Sequence, residues 1–181
     1  MHAWKTLSRK TILDHSKYLS VENHAVELPG GQVIPDWAWI ITPDFVNVMA
    51  ETSDGKFIFF RQTKYALEGD VLAPVGGFVD PGEKPFQAAK RELLEEVGHE
   101  AAEWIHLGSY RIDPNRGVAM GHLYLARGAR HVAKPTGGDL EEQHMLELSR
   151  RDVESALANG EFKVIAWVTL VALALARLAK A

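Results

Sequence analysis

The sequence predicts an α+β chain. Three observations carry that reading: short, partly alternating apolar runs punctuated by Gly, Pro and Asp-Gly turns, a central segment of helical period, and two further helical segments at the C-terminal end.

Taken in order, Tyr18 to Leu28 (YLSVENHAVEL) partly alternates, as a half-buried strand should. Pro29-Gly30-Gly31 is a turn, and Gln32 to Ile41 resumes with Val33, Ile34, Trp37, Trp39 and Ile41. Two or three antiparallel strands are therefore expected before the main body. Trp37 and Trp39 share one face, a pattern commoner in a core or interface stripe than in a base-stacking platform. Phe45–Glu51 and Lys56–Gln62 form a hairpin around Thr52-Ser53-Asp54-Gly55. The second strand closes on Arg61-Gln62-Thr63-Lys64-Tyr65, whose two cations sit either on a solvated strand end or toward an anionic ligand. Val71–Val75 is a short strand leading to a glycine turn at Gly76-Gly77, and Asp80-Pro81-Gly82 is a second turn.

A helix is expected from Pro85 to Val97. Strands follow at Trp104–Ile112 and Met120–Ala126 around the turn Asp113-Pro114-Asn115-Arg116-Gly117. Arg127 to Asp139 is polar and glycine-containing, a loop; Leu140-Glu141-Glu142-Gln143 leads into a strand ending near Leu148. Asp152–Ala158 is helical, Asn159-Gly160 ends it, and a last helix starts near Val164. Its apolar run, Val164 to Ala176, is shorter than the roughly 20 residues a bilayer requires, so a buried helix is expected and no membrane partner.

The chain has 181 residues, 46% hydrophobic and 24% charged, which suits one globular domain with a small terminal extension. A net charge of −4 supplies no field for nucleic acid. No cysteine is present, so disulfides and thiolate metal sites are excluded, in keeping with a cytoplasmic protein. The N-terminus lacks the apolar core of a secretory signal.

The central helix has an unusual face. Glu92, Glu95 and Glu96 stand at i, i+3 and i+4, where like charges destabilise a helix unless a cation offsets them. Hard oxygen donors crowded in this way are what Mg²⁺ or Mn²⁺ takes, although a solvated acidic face is the commoner meaning of any one such cluster. Ala88, Ala89, Leu93 and Val97 form the opposite, apolar side.

The spacing is more specific than the cluster. Gly77, five residues, Glu83, seven residues, then Arg91-Glu92-Leu93-Leu94-Glu95-Glu96-Val97-Gly98 resembles the signature of the Nudix hydrolases, seven specified residues in a fixed frame. His99 departs from it, standing where that family usually has an aliphatic residue. The resemblance implies a mixed central sheet between helices (an α/β/α sandwich) at 42–181. It also implies a small antiparallel N-terminal sheet at 1–41, which similar proteins use to form a homodimer. It further implies Glu92 and Glu96 as principal ligands of Mg²⁺ (Mn²⁺ in its place), Glu95 bridging or orienting water, and the Gly76 carbonyl completing the shell. Arg91 and Glu83 are implied as a supporting salt bridge, with Gly77 and Gly98 structural.

Pro114 lies 15 residues beyond His99, as a proline does in family members resembling ADP-ribose pyrophosphatases. In such relatives a late-loop glutamate is the catalytic base, which points to Glu142 ahead of Glu141. The Arg61–Lys64 run is similar to a basic segment facing phosphate in nucleotide-sugar members, although the glutamate often found at the Ala73 position is missing. Trp37 and Trp39 are further substrate-binding candidates. The expected function is hydrolysis of a nucleoside diphosphate sugar, ADP-ribose to AMP and ribose 5-phosphate. GDP-mannose or another nucleoside diphosphate derivative is the alternative substrate. A non-catalytic module that binds ADP-ribose is the alternative of a different class, and the four retained glutamates of the signature speak against it.

Overall fold

The computed structural model describes residues 2–137 and 142–180. The chain divides into two units, one of Met1–Asp44 with Tyr110–Met120, the other of Phe45–Ser109 with Gly121–Ala181.

The first unit is built on a three-stranded antiparallel sheet, β1 (Lys5–His15), β2 (Leu19–Glu27) and β3 (Val33–Ile41), in that order. Every residue of β1 is exposed, including Leu7, Ile12 and Leu13. The tryptophans pack inside this unit. The Trp37 indole N–H donates to the Asn115 carbonyl at 2.7 Å and its ring meets Trp4 edge-on; Trp39 stacks on His24. A side chain at Gly117 would collide with the Trp39 ring, and Gly117 also has a positive φ, so glycine is required there.

In the second unit, strands of a mixed eight-stranded sheet run β11 (Gln143–Leu148), β5 (Phe57–Gln62), β4 (Phe45–Thr52), β10 (Val118–His131), β8 (His99–Glu100). The β4–β10 pairing is parallel. β9 (Glu103–Asp113) pairs with β10. The expected Asp-Gly hairpin is present, with Gly55 at φ 82°, but β4 and β5 pair only at Ala50–Ile58 and Glu51–Phe57. Beyond that point they diverge, and β6 (Val71–Ala73) and β7 (Val75–Phe78) fill the gap, β6 on β5 and β7 on β4.

Strand alternation sorts the core into two layers. Val46, Val48, Ala50, Ile58, Phe60, Val75, Tyr124 and Ala126 face the helix α1 (Pro85–Val97). Met49, Phe57, Phe59, Leu72, Leu123 and Leu125 face α2 (Arg150–Ala158) and α3 (Ile165–Leu178). This is the expected sandwich of a mixed sheet between helices. Ser149 caps α2 through a reciprocal box with Asp152. α3 buries Ala166, Leu170, Val171 and Ala174 but leaves Ile165 largely in solvent, so its apolar run is a one-sided stripe. No helix among the described residues is long and apolar enough to cross a membrane.

Two expectations about loops are corrected. β10 continues to His131, so Arg127–His131 is strand, held to β8 at Arg130–Glu100 and His131–His99. Gly76 and Gly77 form no turn; they lie inside β7, paired with Asn47 and Val46.

Candidate active site

The site is set by how α1 is mounted. Pro85 opens the helix at its first position, where a missing N–H costs nothing. Gly98 ends it in the left-handed conformation at φ 68°, its N–H bonded to the Leu94 carbonyl at 2.9 Å. Ala88, Ala89, Leu93 and Val97 are buried against the sheet.

Gly76 and Gly77 are glycines for want of space, since neither has a positive φ. A Cβ at Gly76 would meet the Val46 carbonyl and the Asn47 side chain. One at Gly77 would strike the Glu92 carboxylate. The strand therefore approaches the acidic helix face as closely as a backbone can. The Gly76 N–H donates to Glu96 at 2.9 Å.

Arg91 is the hub of the remaining acids. Its Nε and Nη2 donate to the two oxygens of Glu83 at 3.0 and 2.9 Å, and Nη2 also donates to the Phe78 carbonyl at 3.0 Å. Nη1 donates to Glu92 at 2.6 Å and Glu95 at 3.1 Å. The expected Glu83–Arg91 brace is thus present, in the bidentate geometry that favours arginine. Glu83 also accepts from the Asp80 N–H, which closes the turn ahead of the helix. The Arg91 guanidinium holds the Glu83 carboxyl below its ordinary value, and Glu83 in turn holds Arg91 more firmly protonated. Burial pushes the Glu92 carboxyl up, against the pull of Arg91.

Among the described residues no three His, Asp or Glu side chains converge on one point as a metal-holding group. Glu92 and Glu95 turn onto Arg91, and Glu96 onto Gly76. The donor set still fits a hard divalent cation: three carboxylates on one helix face, with the missing Cβ of Gly77 letting the Glu92 carboxylate lie against the strand.

Backbone bonds tie the late loop to the same helix. Thr136 and Gly137 N–H groups donate to the Glu95 carbonyl at 2.8 and 2.7 Å, and Val132 N–H donates to the Gly98 carbonyl. These satisfy carbonyls that a helix end leaves open. No side-chain pattern announces such anchors, and sequence reasoning missed them. Glu142 follows this loop with its side chain in solvent, 3.7 Å from His144 Nε2. Glu141 lies outside the described residues.

Arg61 shares strand parity with Phe57 and Phe59, on the α2–α3 side, and pairs with Glu161 at 2.8 Å. Alternation sets it on the sheet face opposite the box helix. Lys64 is half-buried beyond the end of β5. Trp37, Trp39 and Pro114 belong to the first unit. His99 is a buried strand residue, its Nδ1 against the Val97 carbonyl and its ring edge-on to His131.

Comparison with known proteins decides the family. Residues 42–181 match the NUDIX domain model. The chain belongs to the Nudix hydrolases. Residues 4–40 match the nucleoside diphosphate sugar hydrolase N-terminal domain. Among curated relatives, the methanol dehydrogenase activator of Bacillus methanolicus is 29% identical over 84% of this chain and 80% of its own. The ADP-ribose pyrophosphatase of Bacillus subtilis is 28% identical over 89% of this chain and 88% of its own. A solved structure, described as an ADP compounds hydrolase, superposes with a TM-score of 0.83 at 21% identity, covering 99% of this chain and 96% of that one. It supports the Nudix fold. Nudix hydrolases generally use divalent metal ions, and the box carboxylates are the residues of this chain with the matching chemistry.

Proposed function

We propose that this Nudix hydrolase cleaves the diphosphate of a nucleoside diphosphate sugar, ADP-ribose foremost, giving AMP and ribose 5-phosphate. One observation carries the reading. A complete carboxylate face (Glu92, Glu95, Glu96 against Gly76-Gly77) occurs in the same chain as an N-terminal segment of the nucleoside diphosphate sugar hydrolase type. The Bacillus subtilis relative is an ADP-ribose pyrophosphatase, which supports ADP-ribose as the first substrate to test.

Glu92 and Glu96, with Glu95 and the Gly76 carbonyl, would hold Mg²⁺, or Mn²⁺ in its place. When bound, such a cation neutralises diphosphate charge and makes water more acidic. The chain's own residues do the rest. Arg91 and Glu83 fix the loop before α1 to the helix, so the acidic face keeps its place against β7. Glu142 takes the proton of the attacking water as its oxygen bonds to phosphorus and the bridging P–O bond breaks; both products leave as phosphate monoesters. Lys64 is the cation proposed for the substrate phosphate. Trp37, Trp39 and Pro114 remain proposed for the nucleoside side, in a cytoplasmic homodimer.

The test is incubation of the purified protein with Mg²⁺ and ADP-ribose, GDP-mannose or a nucleoside triphosphate, with products identified by chromatography. Preferred conversion of ADP-ribose to AMP and ribose 5-phosphate is expected. Preferred cleavage of the triphosphate would overturn the substrate reading.

A further inference from the structure

Among the described residues three buried side-chain polar atoms have no hydrogen-bond partner: Asn47 Oδ1, Gln62 Oε1 and Gln143 Oε1. Two of the three form a single cross-strand pair, Gln143 opposite Gln62 at the first rung of the β11–β5 ladder. An unmet buried acceptor is costly, and folded chains rarely keep one without a reason. Two facing each other call for a shared explanation.

Their place in the sheet supplies it. Gln62 has the parity of Ile58 and Phe60, which pack in the layer under α1, and Gln143 opposite it lies on the same face. That is the side of the sheet on which α1, the helix bearing the box carboxylates, is mounted. The late loop leaves the helix at Gly137, bonded to Glu95, and re-enters the sheet at Gln143. Gln62 is only 6% exposed, in a row closed on its other side by the fully buried Val71. Side chains facing each other in this way have Cβ atoms about 5 Å apart.

We infer that Gln62 and Gln143 form an acceptor pair that reads hydroxyl groups of the sugar joined by the substrate's diphosphate. This rests on the nucleoside diphosphate sugar reading above. A carboxamide oxygen only accepts hydrogen bonds. The diphosphate has no donor to offer it, whereas neighbouring sugar hydroxyls offer two. The base's exocyclic amine and the nucleoside's own ribose hydroxyls are the other donor sources in such a substrate, and the methyl ester of ADP used below retains both. The sugar is favoured because two separate acceptors match two separate hydroxyls, and because the row beside them (Val71, Phe60, Met145) presents no open ring for a base to stack on.

The test uses Gln62→Met and Gln143→Met, which keep the length of the side chain and remove the carboxamide, acceptor and donors together. Initial rates with Mg²⁺ are measured on ADP-ribose, its inosine counterpart, and the methyl ester of ADP, which keeps the diphosphate without sugar hydroxyls beyond it. The expected result is a fall of about tenfold in kcat/KM for both ribose substrates, with the methyl ester changed by less than about twofold. Melting temperature should change little, since the loss of an unmet acceptor offsets the loss of the amide N–H groups. Equal losses on all three substrates, or stabilised variants with unchanged kinetics, overturn the inference and leave the pair as a structural or hydrated feature. Lost discrimination between adenine and hypoxanthine overturns the sugar assignment in favour of the base. A wild-type protein that cleaves none of the three removes the underlying reading and the inference with it, a result distinct from the others.

Discussion

Gly77→Ala is the sharpest perturbation of this site. Gly77 has ordinary strand torsions, so alanine fits the backbone; what it lacks is room. An added Cβ would lie 2.5 Å from the Glu92 carboxylate carbon, against an ordinary contact of 3.4–4 Å. The carboxylate must therefore retreat by about 1 Å, and a misplacement of that size in an active site costs on the order of 10²-fold in rate. The moving group is the end of a flexible side chain, so stability should change by less than about 1 kcal/mol. Gly76→Ala is the contrast. There the obstacles include the Val46 carbonyl and the Asn47 Cα at 3.1 Å, backbone atoms that cannot step aside. It should lose about 1–3 kcal/mol of stability. The assay pairs initial rates on ADP-ribose with thermal melts of both variants. A Gly77→Ala protein with the full wild-type rate would refute the claim that Glu92 works from the position seen here.

Three further predictions concern the base, the brace and the mount. Glu142→Gln should slow single turnover by about 10²–10⁴-fold while divalent-cation affinity, followed by titration calorimetry, stays unchanged; if Glu141→Gln does this instead, the base is one residue earlier. Arg91 holds Glu83 below the ordinary carboxylate value of about 4.3, so that ion pair adds stability above this pH which is lost as pH falls through the lowered value. Glu83→Gln should accordingly flatten the acid limb of a stability–pH curve, and an unchanged limb would sink that assignment. Leu93 is fully buried beneath the helix, so Leu93→Ala should cost about 2–5 kcal/mol in denaturant unfolding.

Much of the box was legible because its punctuation is local. Pro85 and Gly98 bound the helix through their own backbone chemistry, and the apolar face follows from its period. The Asp54-Gly55 hairpin was legible for the same reason. What escaped was non-local. Nothing in residues 45–62 says that β4 and β5 diverge to admit β6 and β7, and that insertion is what makes Gly76-Gly77 a strand and not a turn. The parallel β4–β10 pairing is equally invisible in either strand alone. The partner of Arg61 was not legible either: its charge says nothing of which face it takes, and alternation, one residue out of phase with Gln62, sets it beside Glu161. The carboxylates were identified by spacing, but their partition between Arg91 and the Gly76 N–H depends on the inserted strand.

The central claim is that the acidic face of α1 makes this chain a diphosphate hydrolase. One side-by-side measurement tests it most directly: ADP-ribose incubated with Mg²⁺ and either the wild-type protein or Glu96→Gln, with AMP and ribose 5-phosphate quantified and the fold of each protein checked by circular dichroism. The wild type should release both products in equal amounts, and the folded variant should be slower by orders of magnitude, about 10³-fold or more. Equal rates from the two folded proteins would contradict the claim.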